Sequence, residues 1–134
     1  MFNQHGEFEI STQDKIIEIK LKGAFYCIGA KKYADTLKKV ITSLNKSSFS
    51  LCVDITQVEG GTPEAFEELE KLNQWVITKG MTGKAFVKRS SLICSMLRKY
   101  CPTIRLQNCK GFYSTSEARA WLTSLTNEYS GRVA

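Results

Sequence analysis

The passage from Phe49 to Phe66 constrains the fold more than any other. Phe49-Ser50-Leu51-Cys52-Val53-Asp54-Ile55 is short, largely apolar and rich in strand formers, which suits a central parallel strand. Gly60-Gly61 then allow a tight turn, Thr62 is a favourable helix N-cap, and Pro63 suits the first helical position, where its missing N–H would have had no partner. Glu64, Glu67 and Glu68 stand near the positive end of the helix dipole, and Glu67 can pair with Lys71 one turn on. Phe66, Leu69, Leu72, Val76 and Ile77 make the apolar face, and Gly80 is placed to end the helix. A buried strand that feeds a helix through a short turn is the repeating unit of a parallel α/β sheet.

Further units flank this one. Phe8 and Ile10 alternate with Glu7 and Glu9, and Ile17, Ile19 and Leu21 alternate with Glu18, Lys20 and Lys22. With Ser11-Thr12-Gln13-Asp14 as the turn, this predicts an opening β-hairpin. Gly23 ends the second strand, and Ala24 to Gly29 lead into a helix carrying Tyr33, Leu37, Val40, Ile41 and Leu44, with Lys31, Lys32, Lys38 and Lys39 on its wet side. After the polar break at Asn45-Lys46-Ser47-Ser48 and the central unit, Lys84-Ala85-Phe86-Val87-Lys88 predicts another strand. Ser90 or Ser91 then caps a helix bearing Leu92, Ile93, Met96, Leu97 and Tyr100, which Pro102 stops. Thr103-Ile104-Arg105-Leu106 reads as the last strand and Phe112-Tyr113 as a short extended piece. Ser114-Thr115-Ser116-Glu117 is a capping box before Ala118, Trp121, Leu122 and Leu125, in a docked helix followed by a short polar tail. The order ββαβαβαβα predicts an α/β fold: a mixed sheet with an antiparallel opening hairpin, parallel strands joined by right-handed crossovers, and about four covering helices.

At 134 residues and 43% hydrophobic content there is material for one core, so residues 1–134 are expected to form a single domain. No run approaches the roughly 20 apolar residues of a membrane-spanning helix. Met1 to Glu7 lack the basic and apolar segments of a secretory signal, and a cytoplasmic address is expected. The five cysteines, Cys27, Cys52, Cys94, Cys101 and Cys109, form an odd set without a CxxC pair, so neither a disulfide framework nor a zinc-finger spacing is present. Reduced thiols fit the same address. The net charge of +6 is uneven: residues 81–134 hold 9 Lys and Arg against 2 Glu, while residues 1–80 are nearly balanced. Such a field attracts acidic partners at long range without being a recognition code.

The chemistry of most enzyme classes is missing. His5 is the only histidine and belongs to an N-terminal segment expected to be mobile, which speaks against a histidine-dependent serine triad. There is no GxxxxGK[ST] loop and no GxGxxG after the first strand, so nucleotide phosphates have no backbone cradle, and no cofactor or metal is expected. Asp54, Glu59 and Glu64 gather near the end of the central strand, where paired carboxylates could work as acid and base, but turn formation and capping account for them. Lys88, Arg89, Arg98, Lys99, Tyr100, Arg105, Lys110, Phe112 and Tyr113 supply the residue types of a nucleic-acid surface, although most of these aromatics fit a core, which makes nucleic acid a minor alternative.

Val53-Asp54-Ile55-Thr56-Gln57-Val58 followed by Gly60-Gly61-Thr62-Pro63-Glu64-Ala65-Phe66 resembles the STAS/SpoIIAA-like pattern of a strand ending in Asp, a loop and the regulatory helix. The opening strands, the Gly23 turn and the segment from Ser114 to Leu122 extend the similarity over nearly the whole chain. The resemblance implies a non-enzymatic regulatory module of the anti-sigma factor antagonist kind. It would bind a protein partner, such as a kinase-like or sigma-pathway regulator, through the junction. Carried onto this sequence, the partner-facing residues are Asp54, Thr56, Gly60, Gly61, Thr62, Glu64, Glu67 and Glu68. The family's phosphorylatable serine is not matched: Pro63 and Glu64 occupy about that place, Thr62 is the nearest hydroxyl and so the candidate phosphorylation site, and Glu64 supplies a permanent negative charge, as in a relative without the switch. An alternative within the same general topology is a carrier of the SEC14-like kind, holding a lipid or small molecule between sheet and helices.

Overall fold

The computed structural model describes residues 6–45 and 47–133, with side chains in the last helix described as far as residue 125; His5 and Lys46 fall outside the described residues. The elements run β1 (Glu7–Gln13), β2 (Ile16–Phe25), α1 (Cys27–Ser43), β3 (Phe49–Gly61), α2 (Pro63–Ile77), β4 (Met81–Val87), α3 (Ser91–Tyr100), a 3-10 turn (Pro102–Leu106), β5 (Cys109–Phe112) and α4 (Thr115–Val133). Among the described residues the strands form one sheet in the order β1-β2-β3-β4-β5; β1 pairs antiparallel with β2 and the other pairs are parallel. The fold class and element order expected from the sequence are therefore found.

Five local expectations are corrected. Ser11, Thr12 and Gln13 belong to β1, and the hairpin turns instead on Asp14 and Lys15, both at positive φ (52° and 67°), the pair that a two-residue turn matching strand twist requires. Gly23 does not end β2, because Ala24 and Phe25 continue alongside Gly60 and Gly61 of β3. Those two glycines thus close a 13-residue strand rather than forming a separate turn. Residues 103–106 are not a strand: Pro102 starts a 3-10 turn, and β5 forms later, from Cys109, where the chain reaches the edge of β4. The expected polar tail is helical, since α4 continues to Val133.

Right-handed crossovers in a sheet whose strands follow chain order must fall on one side. Accordingly Tyr33 and Leu37 of α1, Phe66, Leu72 and Val76 of α2, and Ile93 and Leu97 of α3 pack on the face carrying Ile17, Ile19, Leu51, Val53, Ile55 and Phe86. Among the described residues the opposite face receives only α4, whose Ala118 and Leu122 cover Ile16, Cys52, Ala85 and Val87. Its approach is close: a Cβ on Gly83 would stand 2.5 Å from Leu125 Cδ1 and 3.5 Å from Trp121 Cη2. Gly83→Val is expected to lower stability by about 1–3 kcal/mol through overpacking, read by urea unfolding. An unchanged midpoint would mean that α4 is not seated as described.

Candidate functional site

The start of α2 is built as its sequence dictates. Thr62 is extended, its Oγ1 accepts from the Ala65 N–H at 3.2 Å, Pro63 takes the first turn, and Glu64 is exposed beside it. The Thr62 N–H donates to the Phe25 carbonyl at 3.0 Å, which ties the start of α2 to the end of β2 and so to the start of α1. Glu67 is exposed and Glu68 half-buried. Lys71 pairs with Glu68 at 3.4 Å rather than with Glu67, leaving the Glu67 carboxylate open to solvent.

The expected partner-facing residues do not all gather there. Gly60, Gly61, Thr62, Glu64, Glu67 and Glu68 lie together at the strand end and helix start. Asp54 and Thr56, by strand alternation, turn to the other face: Asp54 lies with Glu18, Lys20, Cys52 and Thr115 in an open polar groove beside α4. There the Thr56 N–H and hydroxyl both donate to Asp54 Oδ1, at 2.9 and 2.6 Å, closing a local turn. Asp54 and Glu64 thus sit on different sides of the sheet, which takes away the acid–base pairing considered from sequence.

What the sequence left unnoticed is apolar. Tyr26 and Ile28, at the N-terminus of α1 beside the Phe25–Thr62 bond, are 44% and 54% exposed. The Thr62–Phe25 bond brings this end of α1 to the same end of the sheet as the start of α2, which carries exposed Glu64 and Glu67. Part of the signal was available: Ile28 falls off the stripe of Tyr33, Leu37 and Ile41, whereas Tyr26 is in step with it and is exposed as the extended N-cap residue.

A second feature lies beneath. Between the sheet, α2 and α3 is a cavity of about 60 Å³ lined by apolar side chains together with Asn73 and Lys84. Lys84 is only 6% exposed, and its Nζ donates to Asn73 Oδ1 at 2.9 Å and to Gln107 Oε1 at 3.3 Å. Burial pushes the Lys84 ammonium below the usual lysine range, against the opposing influence of Cys109, Cys101 and Glu70. Burial acts to raise the Glu70 carboxyl as well, but hydrogen bonds from Thr103 and Gln74 outweigh it and hold that group low. The Thr103 N–H contact is 3.0 Å, and the Thr103 hydroxyl also donates to Glu70. The thiols of Cys52 and Cys101 are buried and pushed up to about 11, chiefly by that burial. At neutral pH they are protonated packing groups.

No protein-family model matches the chain, and no curated protein matches it significantly. Solved structures do. An uncharacterized protein of the DUF3478 family with a SpoIIAA-like fold, from Shewanella loihica PV-4, superposes with a TM-score of 0.70 at 18% identity, covering 91% of this chain and 98% of its own. This chain has a SpoIIAA-like fold. An anti-sigma factor antagonist from Mycobacterium paratuberculosis shares it, with a TM-score of 0.64 at 11% identity over 90% of this chain and 96% of that one. Identities this low carry the SpoIIAA-like fold and leave function to the site. Among the described residues no helix is long and apolar enough to cross a membrane.

Proposed function

We propose that this SpoIIAA-like chain is a cytoplasmic, non-enzymatic regulatory module that binds a protein partner through the surface formed by the starts of α1 and α2. The observation carrying this is the Thr62–Phe25 bond, which brings the start of α1, with exposed Tyr26 and Ile28, to the capped start of α2, with exposed Glu64 and Glu67. Exposed aromatic and aliphatic groups ringed by charge are the usual make-up of a binding centre with a polar rim. The likeness to an anti-sigma factor antagonist in fold supports the same reading. We place Asp54 and Thr56 outside this surface, since they occupy the opposite face.

Thr62 is the hydroxyl nearest the position where such modules carry their phosphate. Its oxygen is engaged in capping, Pro63 follows it, and Glu64 already supplies negative charge to the dipole. We therefore read the module as one that works without phosphorylation.

The test is a tagged pull-down of the full chain from its native cells, with mass spectrometry of what co-purifies and the intact mass of the bait. A stoichiometric protein bound by wild type and weakened about 10-fold or more by both Ile28→Asp and Glu67→Lys is the expected result. A partner indifferent to both substitutions overturns the assignment of this surface. RNA without protein in the eluate overturns the interaction reading itself, and a phosphorylated bait overturns the reading without a switch.

A further inference from the structure

Lys84 is expensive where it stands. An ammonium in a core is tolerated when paired, yet among the described residues no carboxylate lies within ion-pair distance of this one. Its acceptors are two neutral amide oxygens, and the face of the Phe86 ring lies 5.5 Å away. An ammonium has three N–H groups, and these acceptors use two. A methionine would fill the same space without a charge to solvate.

The remaining surroundings are those of a binding pocket. Lys84 and Asn73 supply the polar end of a cavity otherwise walled by groups such as Leu21, Val53, Phe66 and Leu97. The outer wall is α3, through Ile93 and Leu97, and none of that helix's described residues is fully buried, so it is the wall with the least holding it in place. At about 60 Å³ the space is far below the roughly 300–1,000 Å³ of drug-sized sites, so a long lipid tail of the SEC14-like kind has no room.

We propose that this cavity binds a small monocarboxylic acid with a short apolar tail, its carboxylate accepting a charge-assisted hydrogen bond from Lys84 Nζ. The carboxylate supplies a counter-charge in direct contact, where Glu70 acts only from beyond ion-pair distance, Asn73 and Gln107 hold the ammonium in place, and the tail lies against the apolar walls. The proposal rests on the cavity and not on partner binding, although the cavity shares its Gly60–Gly61 wall with the partner-facing end of the fold.

The experiment titrates the full-length protein, at pH 7, with acetate, butyrate, isovalerate and hexanoate, using isovaleramide and isoamyl alcohol as tail-matched probes without the charge. Backbone amide NMR shifts at Gly60, Gly61 and Ile104 report occupancy. The expected result is saturable binding that is tightest for butyrate or isovalerate, at least about 10-fold weaker for the amide and alcohol, and lost for the acids in Lys84→Met. The spectrum of that variant shows whether it is folded, and if it is not, the comparison of acid with amide in wild type decides. No saturable shift with any of the four acids, equal binding of acid and amide, or undiminished acid binding by folded Lys84→Met each overturns the proposal.

Discussion

Asn73→Leu is expected to lower the unfolding free energy by about 3 kcal/mol at pH 7, and adding Lys84→Met to it should restore most of the loss. The reasoning is one of asymmetry. The single change removes the 2.9 Å acceptor of a buried ammonium and leaves Gln107 as its one remaining amide partner, itself held through Gln107 Nε2 to the Asn73 carbonyl. The second change removes the charge that needed the acceptor, so two apolar side chains meet an apolar cavity. Urea unfolding of the two single variants and the double closes the cycle. Costs that simply add would show that the ammonium was not held by Asn73.

The pH dependence follows from the same group. Because the folded state lowers the Lys84 pKa from its ordinary 10.5, the unfolded chain holds a proton that the folded chain has released in the window between the two values. The unfolded state then binds more protons, so stability rises with pH through that window and reaches its full value above 10.5. Cys52 and Cys101 act in the opposite sense: pushed from 9.0 up to about 11, they keep protons in the folded state that the unfolded chain loses, and their contribution fades as pH climbs from 9 through 11. The Lys84 effect is therefore read as the difference between wild type and Lys84→Met, which should grow with rising pH. A flat difference would mean that the lysine is solvated.

Leu122→Ala is the second large change, with an expected cost of about 2–5 kcal/mol. Leu122 is fully buried and belongs to the apolar cluster by which α4 covers its face of the sheet, and among the described residues no other helix shares that duty. Loss of its side chain leaves Ala118 and the half-buried Trp121 and Leu125 to hold the helix. Opening of α4 exposes Cys52, which lies beneath it, so the Cys52 thiol should react with Ellman's reagent in the variant well before global unfolding and stay protected in wild type. Reaction only on global unfolding in both proteins would show that α4 and the sheet open as one unit.

The strands and helices were legible because their signals are local: alternation in β2, the Thr62-Pro63 helix start, the Ser114 cap that accepts from the Glu117 N–H. Residues 103–106 misled because Ile104 and Leu106 alternate like a strand, while Pro102 and the Thr103–Glu70 contacts set a 3-10 turn that no local pattern reveals. The site was legible in part. Gly60 to Glu68 stand together as the resemblance implied, but Asp54 is parted from them by the two-residue period of β3, a rule that could have been applied from sequence. The same rule puts Lys84 on the face of Phe86, inside the core; the charge at that position disguised it as a strand boundary.

The neighbour-to-neighbour strand order has a kinetic consequence. Each strand pairs with the one that precedes it in the chain, so the sheet can grow by addition at a single advancing edge as the chain leaves the ribosome, with no strand waiting for a distant mate. The β1–β2 hairpin provides the first template, and β3, β4 and β5 then add in the order of their synthesis. The second face waits for α4, which must reach back to β4, β3 and β2, and until it does Ile16, Cys52, Ala85 and Val87 face water. The intermediate most prone to aggregate is accordingly a nearly finished sheet lacking its last helix.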